Sequence, residues 1–310
     1  MMTRWALPTR APFHLEATVR VLQRRPSNAV DVWHQGRYQR LLTLSEGLAL
    51  VEVENSGTVA GPEVRFCIRG DNATAATRLG ARCVLRKMLG LDIDPAPLQH
   101  LVEAERTLRA TALALRGMRP PRFADLFEAF ASVLPFQQLS LDAGVAIVGR
   151  LVAKFGEHLD YDGQRFYAFP TAHAIAEARL APLRACGLSA RKSQALRDLA
   201  RAVDSGVVTE ERLSGVSTQE ALSTLTKLPG IGPWSAGLVL LRGLGRLDVF
   251  PPGDVGAMRG LRALMRRGPQ APLDRIIERF GEHCGYLYFC ALGGSLLSKG
   301  LIHAEPVQRV

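Results

Sequence analysis

None of the five cysteines, Cys67, Cys83, Cys186, Cys284 and Cys290, stands in a CxxC pair, and only the last two lie near one another. That spacing supplies neither a four-ligand zinc or iron–sulfur set nor a secreted disulfide framework, so free thiols and no structural metal are expected. Long apolar runs are missing as well: no stretch approaches the roughly eighteen uninterrupted residues that a helical membrane span requires. The N-terminal segment carries Arg4 and Arg10 but is broken by Pro8 and Pro12 and lacks an apolar h-region, so it does not read as a secretory signal. A cytoplasmic, nucleoid-associated address is the expectation. Heptads, low-complexity tracts and tandem repeats are also absent, which excludes coiled coils and solenoids. Acid is in deficit: 29 Asp and Glu stand against 39 Lys and Arg, a formal charge of +10 with a pI near 9.9. Such a balance points to an anionic partner, nucleic acid being the commonest, although charge that serves only solubility gives the same count.

What the chain does have is apolar material: 47% of 310 residues, enough for one large core or two or three smaller ones. Between Phe13 and Gly70 the segments FHLEATVRVLQ, YQRLLTLS, LALVEVE and EVRFCIRG alternate with period two, separated by turn residues at Pro26-Ser27-Asn28, Gln35-Gly36, Glu46-Gly47 and Asn55-Ser56-Gly57. The pattern predicts an antiparallel sheet. From Asp71 the periodicity becomes helical, with an Asp or Asn start, and Pro95 and Pro97 close this first unit. Helices are then expected over 98–116, 122–134, 138–155, 172–179, 189–205, 218–227, 233–243, 254–267, 273–281 and 284–298. The expected fold is mainly α with an N-terminal α+β domain, an antiparallel sheet plus helix over 1–95 followed by a helical bundle over 96–310.

The segment Leu228-Pro229-Gly230-Ile231-Gly232-Pro233-Trp234-Ser235-Ala236 lies between an amphipathic stretch and an apolar one and reads as helix, tight turn, helix. Glycines at 230 and 232 permit positive φ and close backbone approach, and Pro233 suits the first turn of the second helix. Several N–H groups then point outward together, a nest that binds phosphate. A bare GxG is more often an ordinary connection between packed helices; the full string is far more specific.

LPGIGPWSA resembles the helix-hairpin-helix element of the HhH-GPD DNA glycosylase superfamily. The loop Val249-Phe250-Pro251-Pro252-Gly253-Asp254-Val255-Gly256 is similar to that superfamily's Gly/Pro-rich loop, which ends in a catalytic aspartate, here Asp254. Phe136-Gln137-Gln138-Leu139-Ser140, Phe169-Pro170-Thr171 and Gly187-Leu188-Ser189-Ala190-Arg191-Lys192-Ser193 resemble segments of the 3-methyladenine DNA glycosylase II (AlkA-like) branch. The resemblance covers roughly 120–300 and implies two helical lobes flanking an active-site cleft. It further implies a monomeric enzyme of base-excision repair acting on double-stranded DNA that contains damaged bases, with no membrane partner. No cofactor and no iron–sulfur cluster are implied, with a monovalent cation at the hairpin the one ion admitted.

Chemistry supports the same residues. Breaking an N-glycosidic bond builds positive charge at the deoxyribose C1′, which a carboxylate beneath the sugar stabilises while it orients or deprotonates water. Asp254 suits this role, yet an Asp between Pro-Pro-Gly and a helix is equally a good N-cap, and both roles can coexist. Where bifunctional relatives carry a nucleophilic Lys, this chain has Trp234, which implies a monofunctional hydrolase without lyase activity. The Trp234 ring could stack on a cationic alkylated purine flipped out of the duplex, or brace the hairpin core. Alkylated purines already leave readily, so a tolerant pocket suffices. Gln137, Gln138 and Leu139 are expected at the base pocket or wedge, with Gln138 the choice for the gap left by the flipped base. Leu228, Gly230, Ile231, Gly232, Ser235, Lys192 and Ser193 are the expected backbone contacts to DNA.

Departures are visible too. Gly237 and Leu238 stand where a well-known member of the branch places a second pocket aromatic nearby, and Phe280 to Tyr286 lacks the usual Trp-x-Pro-x-Arg; Tyr286 or Tyr288 could supply a replacement aromatic, although a helix core position is the more expected fate of either. Two alternatives stay open: a non-catalytic DNA-damage-binding protein, and a glycosylase of the same fold for a deaminated or oxidised base.

Overall fold

The computed structural model describes residues 3–70 and 72–303. Strands β1 (Trp5–Ala6), β2 (Val32–His34), β3 (Arg37–Leu44), β4 (Gly47–Asn55) and β5 (Val64–Arg69) form an antiparallel sheet in the order β1-β5-β4-β3-β2. Gln35 and Gly36 both adopt positive φ, the conformation a two-residue hairpin turn needs, and they set the β2–β3 register. Tyr38, Val53 and Phe66 stand side by side across three strands and are buried. This face packs on helices α1 (Leu15–Gln23) and α2 (Ala75–Met88).

The alternation in FHLEATVRVLQ predicts a strand, but the segment is helix α1. Two buried faces explain the difference. Leu15, Val19 and Leu22 enter the sheet core while Ala17 and Val21 enter the main helical core, so the polar stripe that marks an amphipathic helix is nearly gone. The start of α2 also differs from expectation: Thr74 is the N-cap, accepting from the Thr77 amide, and Asn72 instead donates to the carbonyls of Glu46 and Leu48. Asp71 lies outside the described residues.

Helices α3 (Pro95–Ala104) and α4 (Arg109–Ala114) replace the single helix expected over 98–116. Glu105 turns to extended backbone, and its carboxylate takes the amide and hydroxyl of Thr107, which ends the first helix. Pro95, read as an interruption, is instead the first residue of α3 behind an Asp94 cap. There follow α5 (Leu126–Ala131), a short 3-10 turn (Leu134–Phe136) and α6 (Leu141–Phe155). A hairpin absent from the expectation comes next, β6 (His158–Tyr161) and β7 (Gln164–Tyr167), turning on positive-φ Asp162-Gly163. Its Phe166 covers Leu41 and Leu50 on the second face of the large sheet.

The remaining helices are α7 (Ala172–Ala176), α8 (Leu180–Ala185), α9 (Ala190–Asp204), α10 (Glu210–Ser214), α11 (Thr218–Thr226), α12 (Pro233–Leu238), α13 (Val255–Leu264), α14 (Asp274–Phe280) and α15 (Tyr286–Ser298). After α12 the helix continues with π geometry over Val239–Leu244 and stops at Gly245 in the left-handed region. No helix among the described residues is long and apolar enough to cross a membrane.

Sheet and bundle are joined by buried charge as well as by α1. Arg40 of β3 pairs with Asp31 at 2.7 Å and with Glu128 of α5, and the Tyr38 hydroxyl also donates to Asp31. Burial pushes the Glu128 carboxyl up to about 7, with Asp31 and Asp125 adding to the rise and Arg40 opposing it.

Candidate active site

The hairpin is assembled from local signals. Ser217 and Glu220 form a reciprocal capping box at the start of α11, and the helix ends ahead of the turn at Leu228–Gly232. Gly230 has φ +76, and a Cβ there would sit 2.8 Å from the Ala195 Cβ. Gly232 is the N-cap of α12 and Pro233 its first residue. Among the described residues, the amides of Gly230, Gly232, Trp234 and Ser235 meet no acceptor within the chain. They make a donor nest at a helix start, the arrangement that accepts a phosphate oxygen.

Gly237 carries no side chain because the Pro251-Pro252 loop packs on it: an added Cβ would meet Pro252 Cδ at 3.1 Å and Pro251 Cα at 3.2 Å. That close approach brings Asp254 against Trp234. The Asp254 carboxylate is buried, 9% exposed, and fixed at both oxygens. Oδ1 accepts the Ala257 amide at 2.7 Å as N-cap of α13, and Oδ2 accepts the Trp234 indole N–H at 2.9 Å. The cap reading and the site reading of Asp254 are therefore one geometry. Trp234, expected as a pocket wall, also holds the carboxylate.

Both residues line a cleft of about 1220 Å³. Its charge is predominantly positive, with Arg24, Arg25, Arg191, Lys192 and Arg259 against Asp142 and Asp254, and Arg25 is paired to Asp142. One lip is the loop Phe136–Ser140. Gln137 is anchored to the hairpin, its amide donating to the Gly230 carbonyl at 2.7 Å and the Ser235 hydroxyl at 2.8 Å. Gln138 stands exposed at the tip with φ +57, and Leu139 beside it is 45% exposed.

One expected DNA contact, Ser193, needs correcting. Ser193 is fully buried in α9, so no phosphate reaches its side chain; small size, which lets α9 pack, accounts for it. Lys192 lines the cleft, but its ammonium donates to the carbonyls of Gln137 at 2.6 Å and Pro135 at 3.3 Å, and burial lowers its pKa. It braces the lip. Ile231 and the Ser235 side chain are buried and Leu228 is half-buried, so the hairpin offers backbone rather than side chains.

Comparison with known proteins reads the same elements. The chain matches the HhH-GPD superfamily base excision DNA repair protein model over residues 131–284 and the AlkA N-terminal domain model over 4–125. It is 34% identical to the Schizosaccharomyces pombe DNA-3-methyladenine glycosylase 1 over 193 residues, 60% of this chain and 78% of that one. The chain belongs to the HhH-GPD superfamily. Its AlkA-like character is carried by the N-terminal match and by relatives such as the probable bifunctional transcriptional activator/DNA repair enzyme AlkA of Mycobacterium tuberculosis. That protein is 33% identical over 81% of this chain, but the match spans only 48% of its own length. Among solved structures, the 3-methyladenine DNA-glycosylase from Archaeoglobus fulgidus superposes with a TM-score of 0.78 at 28% identity, covering 96% of this chain and 99% of that one.

Several cleft residues of this HhH-GPD chain were not assigned to the site from sequence. Arg24 arrives from the end of α1, Val255 stands 75% exposed directly after Asp254, and Phe136 and Leu292 complete the apolar wall. Tyr288, a candidate replacement aromatic, does line the cleft. Tyr286 instead donates to the Met118 carbonyl in the core. Phe136 had a signal, its place directly before Gln137; Arg24 had none.

Proposed function

We propose that this chain is a monofunctional DNA N-glycosylase that removes alkylated purines of the 3-methyladenine type by base flipping and water attack at C1′. The observation that carries the reading is the Asp254 carboxylate, fixed by the Trp234 indole and the Ala257 amide in a basic cleft beside the hairpin's open amides. A carboxylate so held is preorganised toward charge that develops only in the transition state. The nest at Gly230–Ser235 grips a phosphate near the lesion. Gln138, expected at the gap, and Leu139, apolar and 45% exposed beside it, stand at the lip where one of the two enters the stack behind the departing base.

The cleft's chemistry supports water as nucleophile. Lys192 is the one lysine among the described residues lining it, and its ammonium is tied to two carbonyls of the lip. All these groups come from one chain, which supports action as a monomer. The test is release of free base from methylated duplex DNA. Asp254→Asn is expected to reduce release by about two to three orders of magnitude, the ~10²–10³ scale of losing one preorganised electrostatic group, while binding to an abasic-site analogue persists. Undiminished release by Asp254→Asn refutes the assignment, and strand nicking by the purified enzyme without heat or alkali refutes the monofunctional reading.

A further inference from the structure

Asp254 meets the Trp234 indole on one side and opens α13 on the other. Six large apolar side chains stand exposed among the described residues, and of these only Leu139 and Val255 line the cleft. Val255, directly after Asp254, is 75% exposed, the highest of the six. One turn further along α13, Arg259 also lines the cleft and is exposed. Residues four apart on a helix are neighbours on one face, with Cβ atoms ~5–6 Å apart. Gly256, exposed beside them, has no side chain to screen either; a Cβ there would press on Asp254 Oδ1 at 3.3 Å.

Neither side chain serves the fold. The core side of α13 is formed by Ala257 and Leu261, on the opposite flank of the helix. Among the described residues Arg259 has no ion-pair or hydrogen-bond partner, and the sequence holds no acid from Val255 to Gln270. Nearby arginines differ: Arg262 Nε donates to the Ala271 carbonyl at 2.8 Å, and Arg246 donates to the carbonyls of Leu213 and Val216. Asp142, the other carboxylate of the cleft, is taken by Arg25. The helix dipole favours a cation only within the last turn, which Arg259 precedes. A valine left in water and a guanidinium left without an acceptor both gain from a partner that is apolar at one point and anionic one helical turn away.

We propose that Val255 and Arg259 form a sugar–phosphate clamp for the damaged strand, Val255 packing on a deoxyribose beside the lesion and Arg259 binding the adjoining phosphate. The proposal rests on the DNA-directed reading of the cleft and adds a second hold on the strand. Each nucleotide of a DNA backbone offers an apolar sugar face and an anionic phosphate in succession, the same order that α13 presents. The hairpin nest holds the strand at one phosphate, and the clamp holds it on the α13 side of Asp254. The sugar between them is thereby fixed over the carboxylate at two points. Val255 covered by a sugar also expels water from the rim of the site, which strengthens the carboxylate's interaction with charge at C1′. Both are positioning residues.

The experiment uses the full chain and duplexes carrying one abasic-site analogue, in which each phosphate flanking the lesion is replaced in turn by a neutral methylphosphonate. Wild type is expected to lose affinity at two separate positions, one belonging to the hairpin and one to Arg259. Arg259→Gln is expected to bind the unmodified duplex about tenfold more weakly and to be insensitive to replacement at the second position alone. Its slope of log affinity against log salt should be shallower by about 0.9, the share of one phosphate, and Arg259→Lys should restore part of that slope. Val255→Thr, isosteric but polar, is expected to slow single-turnover release of 7-methylguanine about three- to tenfold with the melting temperature unchanged. A wild-type salt slope and methylphosphonate pattern in Arg259→Gln overturns the clamp, as does wild-type release by Val255→Thr. A fall in melting temperature that accounts for the loss in either variant assigns that residue to the fold and overturns it too. Should wild type release no base from methylated duplex, the glycosylase reading falls while the methylphosphonate pattern still decides the clamp.

Discussion

Replacing Trp234 with Phe removes one hydrogen bond and keeps an aromatic ring at the cleft wall. The indole N–H reaches Asp254 Oδ2 at 2.9 Å, and the carboxylate it serves is 9% exposed, so water cannot readily take its place. A hydrogen bond to a charged group is worth about 1.5–3 kcal/mol. At about 1.4 kcal/mol per factor of ten, loss of that orientation slows the chemical step roughly 10- to 150-fold. The second oxygen keeps its bond to the Ala257 amide, so the α13 cap survives and the fold should lose only the packing of the smaller ring. The assay is single-turnover release of 7-methylguanine, with affinity for an abasic-site analogue measured in parallel. The variant should bind like wild type and cleave slowly. A wild-type rate in Trp234→Phe refutes the claim that the indole positions the carboxylate. Equal losses in rate and affinity show instead that the ring acts on DNA.

The two hairpin glycines should separate folding from binding. Gly230→Ala meets Ala195 at 2.8 Å in a left-handed conformation and should lower the melting temperature, whereas Gly232→Ala has open space and ordinary φ and should fold normally while DNA affinity drops. Gln137→Ala frees the lip from the hairpin and should slow base release more than it weakens binding to an abasic site, in single-turnover and fluorescence-anisotropy assays. Arg40→Met leaves Asp31 and Glu128 buried without their counterion and should cost about 3–5 kcal/mol in urea unfolding. Its deficit should grow from pH 5 to pH 8: a carboxyl whose folded pKa is raised, as burial raises that of Glu128, contributes fully below its unfolded value and is lost as pH rises through the folded one. Duplex affinity should fall steeply with added salt, since a basic cleft releases counterions on binding.

Much of the site was legible because its pieces are local. The Gly-Pro string of the hairpin and the Pro-Pro-Gly-Asp cap each follow from backbone chemistry within a few residues, and three strands announced themselves by alternation. What escaped depended on tertiary partners. Helix α1 hid because both of its faces are buried, and β6–β7 because its cover is the far side of the sheet. Lys192 and Ser193 were placed by motif alone, but their neighbours, the lip carbonyls and the α9 core, decide what they touch. Arg24 reaches Tyr288 across 264 residues of chain, a contact no local pattern encodes.

The bonds from Gln137 to Gly230 and Ser235, with Lys192 pinning the same loop from behind, make the lip and the hairpin a single rigid caliper. On the proposed function, one jaw would seat on the strand's exterior and the other would probe its interior, with the gap between them set at folding. An enzyme built this way gauges a duplex by whether it yields at a fixed offset from the grip, so that a weakly paired or poorly stacked nucleotide reveals itself mechanically before any atom of its ring is inspected.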